Sequence, residues 1–151
     1  MNLNRREFIA KTGISAAGLT AAGFLPRAFV AEPAATGGVA VICDPADAVV
    51  AAAPVRWAAE QLRQALAARG FNVKMCSRLD EAGPADTCIV ASGPASTMAR
   101  DAGVHAAADS EALAIGPGRL GQRQVLVANG GGVRGLVYAL TELADDVCSV
   151  P

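Results

Sequence analysis

Short apolar runs and amphipathic stretches follow one another along the chain, and this succession is typical of an α/β fold. Val39–Cys43, with the sequence VAVIC, is a continuous apolar run and predicts a strand buried on both faces, in the interior of a sheet. Between Val55 and Arg69 the apolar residues recur at helical spacing, with Pro54 before them and Gly70 behind, which predicts a helix. Phe71–Met75 alternates between apolar and polar residues and predicts a second strand, which completes a βαβ unit.

The second half of the chain predicts three further strands and two helices. Thr87–Ala91 is expected to be a strand, and Ala95–Ala102 a short helix. A β-hairpin with a loose loop is predicted from the runs Glu111–Ile115 and Gln124–Ala128 and the turn residues between them, Gly116, Pro117, Gly118 and Gly121. An amphipathic helix from Leu136 to Val147 follows. The expected fold is α/β, bordering on α+β: a small mixed sheet with helices packed on it, in the order β-α-β-β-(short α)-β-β-α.

The N-terminus resembles a twin-arginine export signal. Arg5 and Arg6 are followed by Phe8 in the register of that signal, and an apolar run from Ile14 to Leu25 lies behind them. The run is about a dozen residues long, short of the roughly 20 that a membrane-spanning helix needs. We therefore expect export by the twin-arginine machinery and a periplasmic or secreted location. The expected organisation is a signal peptide at 1–31, a linker at 32–38, a domain at 39–147 and a tail at 148–151.

Charge and length narrow the classes of function. The formal net charge is −1 and no basic cluster follows the signal, so a nucleic-acid partner is not expected. The roughly 115 to 120 residues beyond the signal suffice for one domain with a single core. Aromatic residues are few past Phe29, and we expect Trp57 and Tyr138 to be mostly buried on helix faces.

The four cysteines do not have the spacing of a zinc site, and His105 is the only histidine, so neither a metal nor another cofactor is expected. After export the thiols would meet an oxidising compartment, where disulfides form. The favoured interpretation is nevertheless that the cysteines are small buried hydrophobic residues. If a bridge forms, Cys43 with Cys76 is the first choice, because both end apolar runs that are candidates for neighbouring parallel strands.

Gly130, Gly132 and Gly135 fit the pattern G-x-G-x-x-G between a predicted strand and a predicted helix. Such a turn can cradle a phosphate on its backbone N–H groups, or it can let a helix pack tightly on a sheet. A dinucleotide site also needs a second parallel strand after the helix, and no such strand is predicted here. We therefore favour tight packing. Arg134, inside the turn, is expected to meet either a phosphate or a carboxylate from a neighbouring surface.

The order of elements and the run Arg134–Leu143, RGLVYALTEL, resemble the N-terminal domain of α-glucuronidases of the glycoside hydrolase family 67 type. The related second domain of β-hexosaminidases shares the pattern. The resemblance spans residues 39–147 and implies a non-catalytic accessory domain that packs beside a (β/α)8 barrel. In those enzymes the barrel carries the catalytic carboxylates, so no catalytic residue is assigned in this chain.

Three functions stay open at this point. The favoured one is an exported accessory domain of a glycoside hydrolase, whose barrel we expect to be encoded separately or lost. A glycosidase needs two carboxyl groups about 5 to 10 Å apart, whereas the adjacent Asp145 and Asp146 point in different directions at a helix end. The alternative is an exported nucleotide- or phosphate-binding enzyme that uses the turn Gly130–Gly135. The third is a free-standing polysaccharide-binding or partner-binding protein, which would expose a patch around Trp57 or Tyr138.

Overall fold

The computed structural model describes residues 37–149, and the expected export signal lies outside them. The described residues form β1 Val39–Cys43, α1 Ala53–Ala68, β2 Val73–Cys76, β3 Thr87–Ser92, α2 Thr97–Ala102, β4 Leu113–Leu120, β5 Arg123–Gly130 and α3 Val133–Ser149. A 3-10 turn at Leu79–Glu81 joins β2 to β3. The predicted order of elements is confirmed. Within the described range, no helix has the length and apolar character needed to cross a membrane.

The sheet is mixed and has the strand order β2-β1-β3-β5-β4. Strands β1, β2, β3 and β5 are parallel, and the antiparallel β4 closes one edge. β1 pairs with a strand on each side, and its first four residues are at most 2 % exposed, which confirms the prediction of an interior strand. The fold is therefore of the α/β type.

Helices α1 and α3 pack against each other and form one layer on the sheet. Each follows a parallel strand and runs back along the sheet. The two helices are therefore parallel, and both begin at the carboxyl ends of the parallel strands. α1 buries Val55, Leu62 and Leu66 together with two alanines. Burying one such aliphatic side chain contributes about 1.5 to 3 kcal/mol, so the sheet-facing side of this layer is a major part of the core.

The opposite face of the sheet has a thinner cover. Among residues 37–149, its cover consists mainly of the six residues of α2, the three-residue 3-10 turn and Val104 of the loop after α2. They pack on a cluster that includes Ile42, Val90 and Val127, and partly buried residues such as Leu79 and Met98 complete it. The two faces of one sheet are therefore covered unequally.

The hairpin of β4 and β5 is tighter than the sequence suggests. β4 continues through Gly116, Pro117 and Gly118 to Leu120, and only two residues separate the strands. The prediction of a loose loop is wrong because β4 lies at the edge of the sheet, where a proline without an N–H can remain in a strand. Gly121 has a φ of +60°, as the first central position of a type II′ turn requires.

Candidate functional site

The glycine turn between β5 and α3 is packed against the loop that precedes β4. The amide of Gly131 donates to the carbonyl of Ala112 at 2.8 Å, and the amide of Gly135 donates to the carbonyl of Ser110 at 3.0 Å. A Cβ atom on Gly131 would lie well under 3.0 Å from Asp109 O, and one on Gly135 equally close to Ala112 O. Close backbone packing accounts for these glycines, as the favoured interpretation expects, although the loop before β4 and not the sheet supplies the contacts to Gly131 and Gly135.

The same contacts occupy N–H groups that a phosphate would use. In a phosphate-binding turn the first amides of the helix point at the ligand. Here the amides of Gly131 and Gly135 donate to loop carbonyls, and the amide of Leu136 donates to Gly132 O at 3.0 Å. Gly130 also contacts α3 closely, since an added Cβ would clash with the backbone of Leu136.

Arg134 extends from the first turn of α3 to a carboxylate of the chain itself. Its Nη1 donates to Glu111 Oε1 at 2.5 Å, while the arginine side chain remains 71 % exposed. This hydrogen bond is the main cause of a raised pKa of Arg134. Of the two partners expected for Arg134, the structure therefore contains the carboxylate.

A carboxylate that the sequence analysis does not single out fills the crevice at the carboxyl ends of β1 and β3. The chain leaves these strands in opposite directions, and open α/β sheets bind ligands at such switch points. Asp47 lies there: its Oδ2 accepts from Gly93 N at 2.8 Å and its Oδ1 from Val49 N at 3.0 Å. An aspartate soon after a strand is a common turn signal, but its contact with Gly93, 46 positions away, has no sequence signal.

Asn129, near the end of β5, links the end of the neighbouring strand β3 to the loop after α2. It is 2 % exposed, and its Nδ2 donates to Ser92 Oγ at 3.0 Å and to Gly93 O at 2.9 Å. Its Oδ1 accepts from Ala106 N at 2.8 Å. Among residues 37–149 no buried side-chain polar atom lacks a partner. Asn129 therefore organises this edge of the sheet, although an asparagine before three glycines is typical of a turn.

The four cysteines are free thiols, and the bridge between Cys43 and Cys76 that the sequence suggests is absent. β1 and β2 are parallel neighbours, as expected, but Cys76 is paired with Ile42 and shares its face of the sheet. Successive side chains of a strand point to opposite faces, so Cys43 points away from Cys76. Burial, with a smaller contribution from Cys76, raises the pKa of Cys43 to about 11, so this thiol is protonated at neutral pH.

The outer surface of the helix layer departs from the prediction. Trp57 on α1 is 58 % exposed and Tyr138 on α3 is 46 % exposed, so the expectation that both are mostly buried is wrong. The sheet-facing side of α1 is taken by Val55, Ala58, Ala59, Leu62 and Leu66, and with 3.6 residues per turn position 57 then points outward. Tyr138 lies outward on α3 for the same reason. Each aromatic residue belongs to the second turn of its helix, so the two lie toward the same end of the layer.

Asp145, Asp146 and His105 are titratable residues to which the sequence assigns no role. Asp145 is exposed, and Asp146 is half-buried. Burial raises the pKa of Asp146, followed by the charges of Glu142 and Asp145. His105 is exposed in the loop after α2. In the described range, no group of three or more His, Cys, Asp and Glu is placed to hold a metal ion.

An open depression lies beside the hairpin turn. Its lining residues are Arg78, Leu79, Asp80, Leu120, Gln122 and Arg123. Arg78 pairs with Asp80 at 2.9 Å, and Arg123 Nη1 donates to Gly83 O at 3.0 Å and contacts Cys88 Sγ at 3.2 Å. Because its charged groups already bind partners in the chain, we assign no ligand to this depression.

Comparison with known proteins adds no relative. No protein-family model matches the chain, and neither curated proteins nor solved structures give a significant match. Two places in the described residues therefore bear on function: the packed glycine turn and the exposed helix face.

Proposed function

We propose that the chain is an exported accessory domain of a carbohydrate-processing glycoside hydrolase, of the α-glucuronidase or β-hexosaminidase kind. Its proposed partner is a (β/α)8 catalytic barrel, in the same polypeptide or in a separate one. The domain braces the barrel and has no catalytic residues of its own. Arg5, Arg6 and Phe8 form the proposed export signal, which directs the protein to the periplasm or the medium.

The observation that carries the proposal is the outer face of the helix layer, which residues 37–149 leave exposed. Trp57 and Tyr138 present large side chains to solvent from neighbouring helices. Large aromatic side chains exposed toward the same end of a helix layer are a feature that an interaction surface would use. The run Arg134–Leu143, on which the resemblance rests, lies within α3 and contributes both Tyr138 on the outside and buried leucines on the inside. A domain that braces a barrel needs an inner side that packs on its own sheet and an outer side that contacts the barrel.

Four carboxylates among the described residues support a non-catalytic role. Asp86 Oδ1 accepts from Gly38 N at 2.9 Å, and its backbone hydrogen bonds lower the pKa of Asp86. Asp47 likewise binds backbone amides, and Glu60 and Glu111 each pair with an arginine. Glycoside hydrolysis needs two carboxyl groups that face one sugar, one of them protonated. The carboxylates named here are engaged with their own chain instead.

Calorimetry with a separately produced α-glucuronidase barrel tests the proposal. We expect saturable binding, and we expect Trp57→Ser to weaken it about tenfold or more, as at a central interface aromatic residue. Met75→Ser is the matched control, because Met75 is a large hydrophobic residue that is 40 % exposed on the edge strand β2. Turnover of aryl glycosides or glucuronoxylan oligomers by the domain alone would contradict the accessory role.

The exposed aromatic residues also favour a second candidate, a free-standing polysaccharide-binding protein. Indole and phenol rings combine an apolar face with a polar group and suit contact with sugar rings. On this hypothesis glucuronoxylan oligomers bind without any barrel, and Trp57→Ser removes the binding while Met75→Ser does not. Absence of sugar binding at millimolar oligomer would reject it.

The nucleotide- or phosphate-binding alternative keeps Gly130–Gly135 as its site, with Arg134 beside it. It has less support, because the amides of Gly131 and Gly135 already donate to carbonyls of the chain. Calorimetry with NAD, FAD and nucleoside phosphates separates it from the accessory role. Saturable binding that Gly132→Val abolishes would favour the alternative.

A further inference from the structure

The outer side of α3 presents four residues in one line, Arg134, Tyr138, Thr141 and Asp145. Their spacing of four, three and four residues keeps them on one side of a helix. Arg134, Tyr138 and Asp145 are exposed, and Thr141 is half-buried. The Thr141 hydroxyl donates to Val137 O at 2.6 Å, so it is satisfied within the helix. We call these four residues the outer stripe.

The charges of the outer stripe oppose the electrostatics of the helix. A helix carries partial positive charge at its N-terminus and partial negative charge at its C-terminus, so acidic residues are favoured early and basic residues late. α3 has the reverse order: Arg134 is its second residue, and Asp145 and Asp146 lie toward its end. Its first turn contains no acidic residue and its last turn no basic one. Nη1 of Arg134 pairs with Glu111 of the loop before β4, and the arginine side chain, 71 % exposed, remains open to a second carboxylate. The charges of the outer stripe do not stabilise α3 through its dipole, so they are available for a contact across an interface.

The outer stripe is complementary to itself. Two copies of α3 can be laid antiparallel, with a two-fold axis at the midpoint of the stripe. Arg134 then meets Asp145 of the partner subunit, and by symmetry the contact occurs twice. Tyr138 meets Thr141 of the partner subunit in the same register. We propose that a second copy of this chain covers the helix layer and that the chain forms an antiparallel homodimer through the outer stripe.

The size of the face sets the expected strength of the dimer. α3 has 17 residues and α1 has 16. At a rise of 1.5 Å per residue the layer is about 25 Å long, and two helices 8 to 10 Å apart make it about 20 Å wide. Face-to-face contact buries on the order of 1,000 Å² in total, near the lower limit for a specific interface. Specific interfaces at this lower limit are typically weak and transient, so we expect a micromolar dissociation constant, on the order of 10 µM.

Trp57 extends this contact onto α1. It points outward from the parallel neighbour of α3, toward the same end of the layer as Tyr138. The dimer therefore covers both large exposed side chains of the helix layer. When the dimer dissociates in solution, both side chains return to water. The exposure of Trp57 to solvent therefore reports the monomer–dimer equilibrium.

The dimer is independent of the proposed carbohydrate-related role, although the two use the same face. The free domain is then a dimer, and a barrel that binds the helix layer separates the subunits. Absence of self-association would overturn the dimer and leave the accessory role standing. Absence of barrel binding would overturn the accessory role and leave the dimer standing.

Sedimentation equilibrium of the purified full chain tests the dimer directly. A reducing agent keeps the exposed Cys148 from cross-linking the chains. We expect the mass to rise from monomer to dimer over about 1 to 500 µM. Tyr138→Ser should weaken the dimer about tenfold or more, and the control Met75→Ser should leave it unchanged.

A charge exchange tests the antiparallel register. Arg134→Asp alone and Asp145→Arg alone each turn two attractive contacts into two repulsive ones, so each should weaken the dimer about tenfold at low salt. The double variant Arg134→Asp/Asp145→Arg should restore it, because the exchanged charges meet again across the two-fold axis. Arg134→Asp also breaks the exposed pair with Glu111, which contributes little to stability, and both changes suit the helix dipole, so circular dichroism should show folded variants.

Three results overturn the proposal. The first is a chain that stays monomeric up to about 500 µM. The second is a dimer that either single charge variant weakens and the double variant fails to restore. The third is a monomer whose Trp57 emission shifts on addition of glucuronoxylan oligomers, which would make a sugar chain the occupant of the helix layer.

Discussion

The glycine turn after β5 and the outer face of the helix layer meet in the first turns of α3, yet they differ in what covers them. The turn is filled by the chain's own backbone, which lies against Gly131 and Gly135. The described part of the chain leaves the helix face uncovered, with Trp57 and Tyr138 about half exposed. Glycines in a strand-to-helix turn show how closely two backbones approach. The pattern of an amphipathic helix shows only which side meets the sheet. It does not show whether solvent or a partner covers the other side.

This difference separates the effects of substitution. Changes in the turn remove contacts that exist only in the folded chain, so they lower the free energy of unfolding. Changes on the helix face touch solvent in the monomer, so they alter association and leave folding nearly unchanged. The expected loss of stability is therefore largest in the turn and smallest on the helix face.

Gly135→Ala is expected to have the largest effect. The added methyl group would clash with Ala112 O, and this cost outweighs the roughly 1 kcal/mol that alanine gains over glycine in a helix. We expect a net loss of about 3 kcal/mol in the free energy of unfolding, measured in urea. Gly116→Ala is the control, because its nearest neighbour would be Val104 at 3.7 Å. Equal stability of Gly135→Ala and the original protein would mean that the turn is open to a ligand.

Asn129→Ala is expected to cost about 2 to 3 kcal/mol, because a buried amide and its partners lose their hydrogen bonds. Ser92→Ala is the matched variant: it removes one acceptor and leaves Asn129 Nδ2 its bond to Gly93 O at 2.9 Å. We expect it to cost about 1 kcal/mol. Thermal unfolding of the two variants side by side checks the difference, and similar small losses would show that Asn129 does not organise this edge.

Asp146→Asn is expected to stabilise the protein at pH 7. The pKa of Asp146 is raised, so its charged form costs stability in the folded state. This cost is present above the raised pKa and disappears as the pH falls from there through the ordinary value of about 4. The gain should stay under about 1 kcal/mol, because solvent screens the group. Urea denaturation at several pH values checks it, and a gain that persists at about pH 3 would contradict this cause.

Trp57→Ser and Tyr138→Ser are expected to have the smallest effects on folding. At about 1 µM, where the chain is monomeric, each should change the free energy of unfolding by about 0.5 kcal/mol or less. Leu62→Ala, on the buried side of α1, is the contrast and should cost about 2 to 5 kcal/mol. A loss of about 2 kcal/mol in Trp57→Ser would mean that the indole is packed within the monomer.

Much of the fold is predictable because it depends on local periodicity. The bounds of Val39–Cys43 agree with the structure, since an apolar run closed by turn residues defines a buried strand. The length of β4 is not predictable in this way. Whether Pro117 can stay in a strand depends on its place at the sheet edge, and that place depends on the order of all five strands.

The sites divide along the same line. Close packing at Gly130–Gly135 is expected from the predicted strand-to-helix turn. Its partner, the loop before β4, and the contacts of Asp47 and Asn129 are not, because they join residues far apart in sequence. The exposure of Trp57 can be predicted from the sequence, because the apolar positions of α1 place residue 57 on the outer side of the helix. Helical periodicity decides this position, and the general tendency of large apolar residues to be buried does not.

Intrinsic fluorescence tests the central claim most directly, because Trp57 is the only tryptophan of the chain and lies on the helix face. We predict that its emission is that of an exposed indole, quenched by acrylamide, at about 1 µM, and that it shifts to shorter wavelength and becomes protected toward about 500 µM. Arg134→Asp should remove the shift, and Arg134→Asp/Asp145→Arg should restore it. An indole that stays exposed and equally quenched at every concentration would contradict the claim that a second copy covers this face.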